Sequence, residues 1–205
     1  AAARPDKAIV QYKALLAGFP QSQWLEASIF ELAELEFEAA EKGASEQYDS
    51  AIERLTALVA KTKDPLLLSK AHDKLGWCHY NKQAYDLAAK SFETVLADKP
   101  PKEIVLPAAY QAGEARLRRK EFKEAMANYQ KAVAANPSDK TLHEQAQLRL
   151  GESLGLTGGW PASEEIYAKF IASYPKHDFI RKAHLGIGWA QENQKKYAPA
   201  IASYE

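Results

Sequence analysis

Apolar side chains recur at steps of three and four residues along nearly the whole chain, as in Leu87, Ala88, Phe92 and Val95. That spacing lays a stripe along one face of a helix and does not fit the two-residue alternation of a strand. An all-α fold is therefore predicted. The stripes end at punctuation: Lys99-Pro100-Pro101, Asn136-Pro137-Ser138-Asp139 and Tyr174-Pro175-Lys176 each halt one helix and lead toward the next. Gly43 and the group Gly155, Gly158 and Gly159 are expected to make turns inside helical hairpins.

The stripes are also copies of one another. Tyr85, Ala88, Phe92, Val95 and Pro100 match Phe122, Ala125, Tyr129, Ala132 and Pro137 at an offset of 37 residues. Trp160, Ser163, Tyr167, Phe170 and Pro175 follow 38 later, then Tyr197, Ala200 and Tyr204 after 37 more. Tyr48, Ala51, Leu55 and Leu58 precede the first set, and Ala8, Tyr12, Leu15 and Pro20 form a partial copy at the start. Ahead of each runs a second stripe ending in glycine: Ala71, Leu75, Gly76; Ala108, Ala112, Gly113; Ala146, Leu150, Gly151; Ala183, Ile187, Gly188. A weaker version, Ser28, Leu32 and Ala33, lies about six residues further from Tyr48, which predicts a longer turn or a longer first helix there.

Paired stripes joined by short turns mean antiparallel helices that must approach closely. Gly76, Gly113, Gly151 and Gly188 are expected to meet Ala88, Ala125, Ser163 and Ala200 at that approach, while Phe92, Tyr129, Tyr167 and Tyr204 fill the space between neighbouring hairpins. Tyr48, Tyr85, Phe122, Trp160 and Tyr197 are expected to cover the turns. One hairpin cannot bury such a surface alone, so stability requires stacking.

From Ser69 to Pro100 the residues His72, Leu75, Gly76, His79, Tyr85, Ala88, Phe92 and Pro100 resemble the tetratricopeptide repeat, and Gly113, Phe122, Ala125, Tyr129 and Pro137 do so again. The resemblance implies an all-α, right-handed superhelical solenoid of antiparallel helix pairs over residues 1–205. Its expected parts are a lone second helix at 5–20, a repeat with a longer turn at 22–65, repeats at 69–102, 106–139 and 144–177, and a truncated one at 181–205. Both ends are expected to cut through the array and to leave faces prone to self-association. The excess over the family's shorter period falls after each proline, so first helices are expected to begin about a turn early. This longer unit resembles bacterial envelope proteins of the outer-membrane assembly lipoprotein and Tol-associated types, which implies a periplasmic or envelope setting.

The resemblance also implies a ligand surface on the inward face of the first helices. Here that face comprises Phe30, Glu34 and Phe37; Asp73, Trp77 and Tyr80; Tyr110, Glu114 and Leu117; Leu148 and Glu152; and Trp189. Trp77 and Trp189, each following a glycine, are expected either to be exposed anchors of the kind that dominate interfaces or to pack against neighbouring first helices and complete the core. With the carboxylates beside them, the face should take a protein or peptide segment rich in apolar and basic residues. Asp73, Trp77, Glu114 and Glu152 would repel the terminal carboxylate that some members of the family clamp.

Charge and chemistry narrow the picture further. Lys plus Arg and Asp plus Glu both number 27, so no general attraction to nucleic acid follows, and the basic cluster of Arg116, Arg118, Arg119, Lys120 and Lys123 spans only one hairpin. No run reaches the ~20 apolar residues of a membrane span. Cys78 and His79 are adjacent on a helix and point about 100° apart, which excludes a nucleophile and base pair and makes Cys78 a core thiol. The five histidines show no metal-ligand spacing, and the clustered glycines lack the Lys-Ser or Lys-Thr of a phosphate loop. A non-enzymatic scaffold without cofactor is expected. The alternatives are a structural spacer or the substrate-recruiting arm of a larger protein.

Overall fold

The computed structural model describes residues 5–97, 100, 102–135 and 139–205, which form eleven helices and no strand. Two compact units divide the chain after Lys99. The first holds α1 (Pro5–Gly18), α2 (Leu25–Glu41), α3 (Gln47–Val59), α4 (Pro65–Asn81) and α5 (Tyr85–Ala97). The second holds α6 (Lys102–Arg118), α7 (Phe122–Ala134), α8 (Lys140–Leu156), α9 (Trp160–Ser173), α10 (Ile180–Asn193) and α11 (Tyr197–Tyr204). Within each unit every helix packs on the next, and the first helices of successive hairpins also touch: α2 on α4, α6 on α8, and α8 on α10. Of the expected breakers, Lys99, Pro101 and residues 136–138 lie outside the described residues.

The lengthened period goes into the first helices. α4, α6 and α8 start at Pro65, Lys102 and Lys140, about a turn ahead of the motif segments that open at Ser69, Leu106 and Glu144. Aspartates close two of these starts: Asp64 accepts from the amides of Leu66 (2.9 Å) and Leu67 (3.3 Å), and Asp139 from that of Leu142 (3.0 Å). The excess around Gly43 is shared, because α2 runs further beyond Ala33 than α4 does beyond Gly76 and the turn before α3 is longer.

All five hairpin turns use the same helix ending, in which a residue in the left-handed region lets the next amide reach back five residues. The bonds are Ala44 to Ala39 (3.1 Å), Ala84 to His79 (2.8 Å), Glu121 to Arg116 (3.0 Å), Gly159 to Leu154 (2.8 Å) and Lys196 to Gln191 (2.9 Å). Gly43 and Gly158 take the left-handed position freely, but Gln83, Lys120 and Lys195 occupy it at φ 60°, 62° and 61°. A side chain there costs roughly 1 kcal/mol. Lys120→Gly is accordingly expected to raise the thermal midpoint of the second unit, and an unchanged or lower midpoint would contradict this reading of the turn.

Inside the hairpins the expected contact needs correction. The group lying over each glycine is an aromatic ring of the paired helix rather than the small residue. A Cβ built on Gly76 would stand 2.6 Å from Phe92, on Gly113 2.6 Å from Tyr129, on Gly151 2.8 Å from Tyr167 and on Gly188 2.5 Å from Tyr204. The small residues sit beside that contact, as where the Ser163 hydroxyl donates to the Gly151 carbonyl at 2.7 Å. Tyr167 serves both its own hairpin and the next, its ring also lying against Gly186 of α10. Gly155 is likewise no turn residue: it is buried within α8.

In the first unit Phe30, Phe37, Tyr48, Leu55, Leu58, Leu75 and Cys78 make one core. Burial pushes the Cys78 thiol up to about 12, consistent with a core role. No helix among the described residues is long and apolar enough to cross a membrane.

Candidate interaction faces

The face expected on α2 and α4 is partly closed. Phe30 and Phe37 are each 7% exposed and belong to the core. Phe37 meets Tyr48 edge-on at 5.7 Å, and the Lys74 ammonium lies 4.6 Å above its ring while pairing with Glu34 at 3.1 Å. Trp77 is half-buried rather than exposed, edge-on to Phe92 (5.8 Å) and Tyr80 (6.2 Å), and Tyr80 continues the series to Tyr85 (5.3 Å). What remains reachable is an aromatic edge with Asp73 beside it.

Asp73 is partly buried and has neither hydrogen bond nor ion pair among the described residues, since Lys74 is held by Glu34. Burial raises its pKa above the ordinary carboxylate value, Lys74 opposes this and Glu34 adds to it. A raised carboxylate pKa penalises the folded state once pH exceeds the folded value, and the penalty vanishes below the unfolded value. Asp73→Asn is therefore expected to raise stability at neutral pH, with the gain fading on acidification through the carboxylate range. A melting series from pH 7 to about pH 3 checks this; a variant less stable than the parent at neutral pH would contradict it.

In the second unit the carboxylates are already engaged. Glu114 is only 8% exposed. It accepts the Tyr129 hydroxyl at 2.6 Å, and Arg149 reaches it with Nε (2.8 Å) and Nη2 (3.1 Å). The Nη1 of the same guanidinium bonds Glu152 at 2.9 Å, Lys182 stands 4.0 Å from Glu152, and Tyr110 hydrogen-bonds Arg149. Burial works against the Arg149 charge, but Glu114 and Glu152 outweigh it and its pKa rises. Burial and Glu114 likewise push the Tyr129 phenol up. The free acidic surface expected from Glu34, Glu114 and Glu152 is thus replaced by carboxylates matched to Lys74, Arg149 and Lys182.

For Trp189 the structure selects the packing reading. Its ring lies against Gly155 of α8 and edge-on to Trp160 at 4.8 Å, so it packs between helices. Leu148 is 2% exposed and Leu117 packs on the Tyr129 cluster. Tyr110 and Leu148 do come together, at a 260 Å³ depression completed by Gln145, Arg149, Phe179 and Lys182. Arg149, Gln145 and Phe179 were absent from the expected face.

Phe179 had a sequence signal. Phe19-Pro20-Gln21-Ser22-Gln23-Trp24-Leu25 and Tyr174-Pro175-Lys176-His177-Asp178-Phe179-Ile180 share one pattern, and both build the same connection. The Trp24 amide donates to the Ser22 hydroxyl at 3.2 Å, the Phe179 amide to His177 Nδ1 at 3.1 Å, and both aromatics are left outside, 63% and 36% exposed.

Two family models, both described as tetratricopeptide repeat, match residues 38–103 and 145–177. Over those residues the chain carries tetratricopeptide repeats. Its neighbours among solved structures have the same fold. YrrB, described as a TPR protein with an unusual peptide-binding site, gives a TM-score of 0.69 at 17% identity over 93% of this chain and 87% of its own. MamA gives 0.68 at 20% identity over 89% and 90%, and MamA from Desulfovibrio magneticus RS-1 gives 0.60 at 22% over 84% and 90%. A comparison with curated proteins returned no match. Each unit of this chain is accordingly an all-α, TPR-type stack of antiparallel helix pairs.

Proposed function

We propose that this TPR chain is a protein–protein interaction scaffold that takes up a segment of a partner on its first-helix faces. The observation that carries the reading is Asp73, a partly buried carboxylate with neither hydrogen bond nor ion pair among the described residues, beside the aromatic edge of Trp77 and Tyr80. A group held at such a cost is matched by a ligand cation, and the adjoining rings supply apolar contact. The first unit therefore prefers a segment with Lys or Arg next to an apolar residue. YrrB's described peptide-binding site supports a peptide as the kind of ligand. The 37- to 38-residue period and the aromatic-proline connections support the envelope type of repeat protein. Exposed Tyr197, Ile201 and Tyr204 on α11, with Val10 and Phe19 near α1, support self-association.

The test is selection of a random peptide display library on the intact chain, followed by titration of the selected peptides. Asp73→Asn is expected to weaken the basic ligands about tenfold, near 1.4 kcal/mol. Selected peptides that bind Asp73→Asn as tightly as the parent would sink the assignment to this face. A library yielding no ligand would favour a spacer or recruiting arm.

A further inference from the structure

The depression between α6, α8 and α10 has a lining unlike the acidic one expected. Of its six residues, Arg149, Lys182, Gln145 and Tyr110 bring hydrogen-bond donors, Leu148 and Phe179 bring apolar surface, and none is a carboxylate. Glu114 and Glu152 lie outside this lining and hold the Arg149 guanidinium at all three of its nitrogens. A side chain fixed in this way loses little freedom when a ligand arrives. Lys182 differs: it is half exposed, and its 4.0 Å separation from Glu152 is longer than a hydrogen bond. Its ammonium can turn toward a ligand.

The apolar wall is equally prearranged. The Phe179 amide is bound to His177 Nδ1, the two rings stand 5.1 Å apart, and His177 Nε2 meets the buried Glu144 at 3.0 Å. Phe179 is thus held out over the depression through a carboxylate inside the repeat. At 260 Å³ the space suits one or two side chains and is small for a drug-sized ligand, which needs roughly 300–1,000 Å³.

We infer that this depression is a subsite for an acidic side chain, Asp or Glu, carried next to an apolar residue in an extended peptide. The inference rests on the scaffold reading and gives the second unit a preference opposite to that of Asp73. Arg149 and Lys182 together balance Glu114 and Glu152, so the site has no excess charge with which to hold a small free anion. Binding requires the apolar contact with Phe179 and Leu148 together with the carboxylate, and a peptide supplies both.

Two libraries of N-acetylated, C-amidated octapeptides test this, one with a central Glu-Leu and the other with Gln-Leu, each with randomised flanks. Amidation removes the terminal carboxylate as a source of charge. The intact chain is expected to retain Glu-Leu peptides about tenfold better, Lys182→Gln to erase the preference, and Lys182→Glu to reverse it. Phe179→Ser is expected to lower retention from both libraries. Melting curves for the Lys182 variants matching the parent would show that folding is untouched. Equal retention of the two libraries by the parent, or a Glu preference surviving both Lys182 variants, would overturn the subsite. If retained peptides still depend on Asp73 in that case, the scaffold reading stands without it; no retention from either library would overturn both.

Discussion

Gly113→Leu is expected to loosen the hairpin of α6 and α7 at a cost of at least ~1–3 kcal/mol, the range for overfilling a packed interior. The size of the effect follows from what the new side chain meets. A first carbon alone would stand 2.6 Å from the Tyr129 ring, closer than real atoms approach. That ring is wholly buried and its hydroxyl is tied to Glu114, so it has no direction in which to yield. Gly188 provides a graded comparison: its covering ring, Tyr204, is exposed and can swing aside, so Gly188→Leu should cost less. Gly18 has nothing near it, and Gly18→Ala should be silent or mildly stabilising. Because repeat arrays melt through local as well as global opening, amide exchange in α6 and α7 is the proper readout. Normal protection there in Gly113→Leu would contradict the packing.

The second large effect is expected at Arg149. Arg149→Met removes the cation from a carboxylate that is almost fully buried, leaving Glu114 with only the Tyr129 hydroxyl among its described partners. Stripping one partner from a buried ion pair typically costs about 3–5 kcal/mol, whereas replacing both partners can be nearly neutral. Arg149→Met together with Glu114→Gln should therefore recover most of the loss. The parent, both single variants and the double variant, compared by denaturant unfolding, check this. A mild Arg149→Met phenotype, or strictly additive losses, would show that the network contributes little.

The helices and their pairing were legible because spacing reports which residues share a face. It does not report which side chain of that face reaches across. Gly113 was rightly read as a point of close approach, but the sequence offers Ala125 and Tyr129 one turn apart on the same stripe, and only the packed helices show the ring on the glycine. The choice between the two readings of Trp189 has a related cause. By register the residue matches Trp77, yet Gly155 opens a recess in α8 that accepts its ring, and the nearby Gly158 and Gly159 make Gly155 look like a turn residue in the sequence. The acidic face failed because Glu114 and Arg149 belong to different hairpins 35 residues apart, and such a pairing depends on the lateral offset of stacked repeats. The matching Trp24 and Phe179 connections were visible in the residues; only their exposure gives them meaning.

The account depends most on a ring nested over a small backbone position, and a thermodynamic cycle of Gly113→Ala with Tyr129→Leu measures that contact directly. With the ring present, the added methyl should destabilise the second unit. In the Tyr129→Leu background it should be neutral or stabilising, as an added methyl is in an unobstructed helix, with a coupling of at least about 1 kcal/mol. Equal effects of Gly113→Ala in the two backgrounds would mean that the ring does not lie there, and the nested packing described for these hairpins would be wrong.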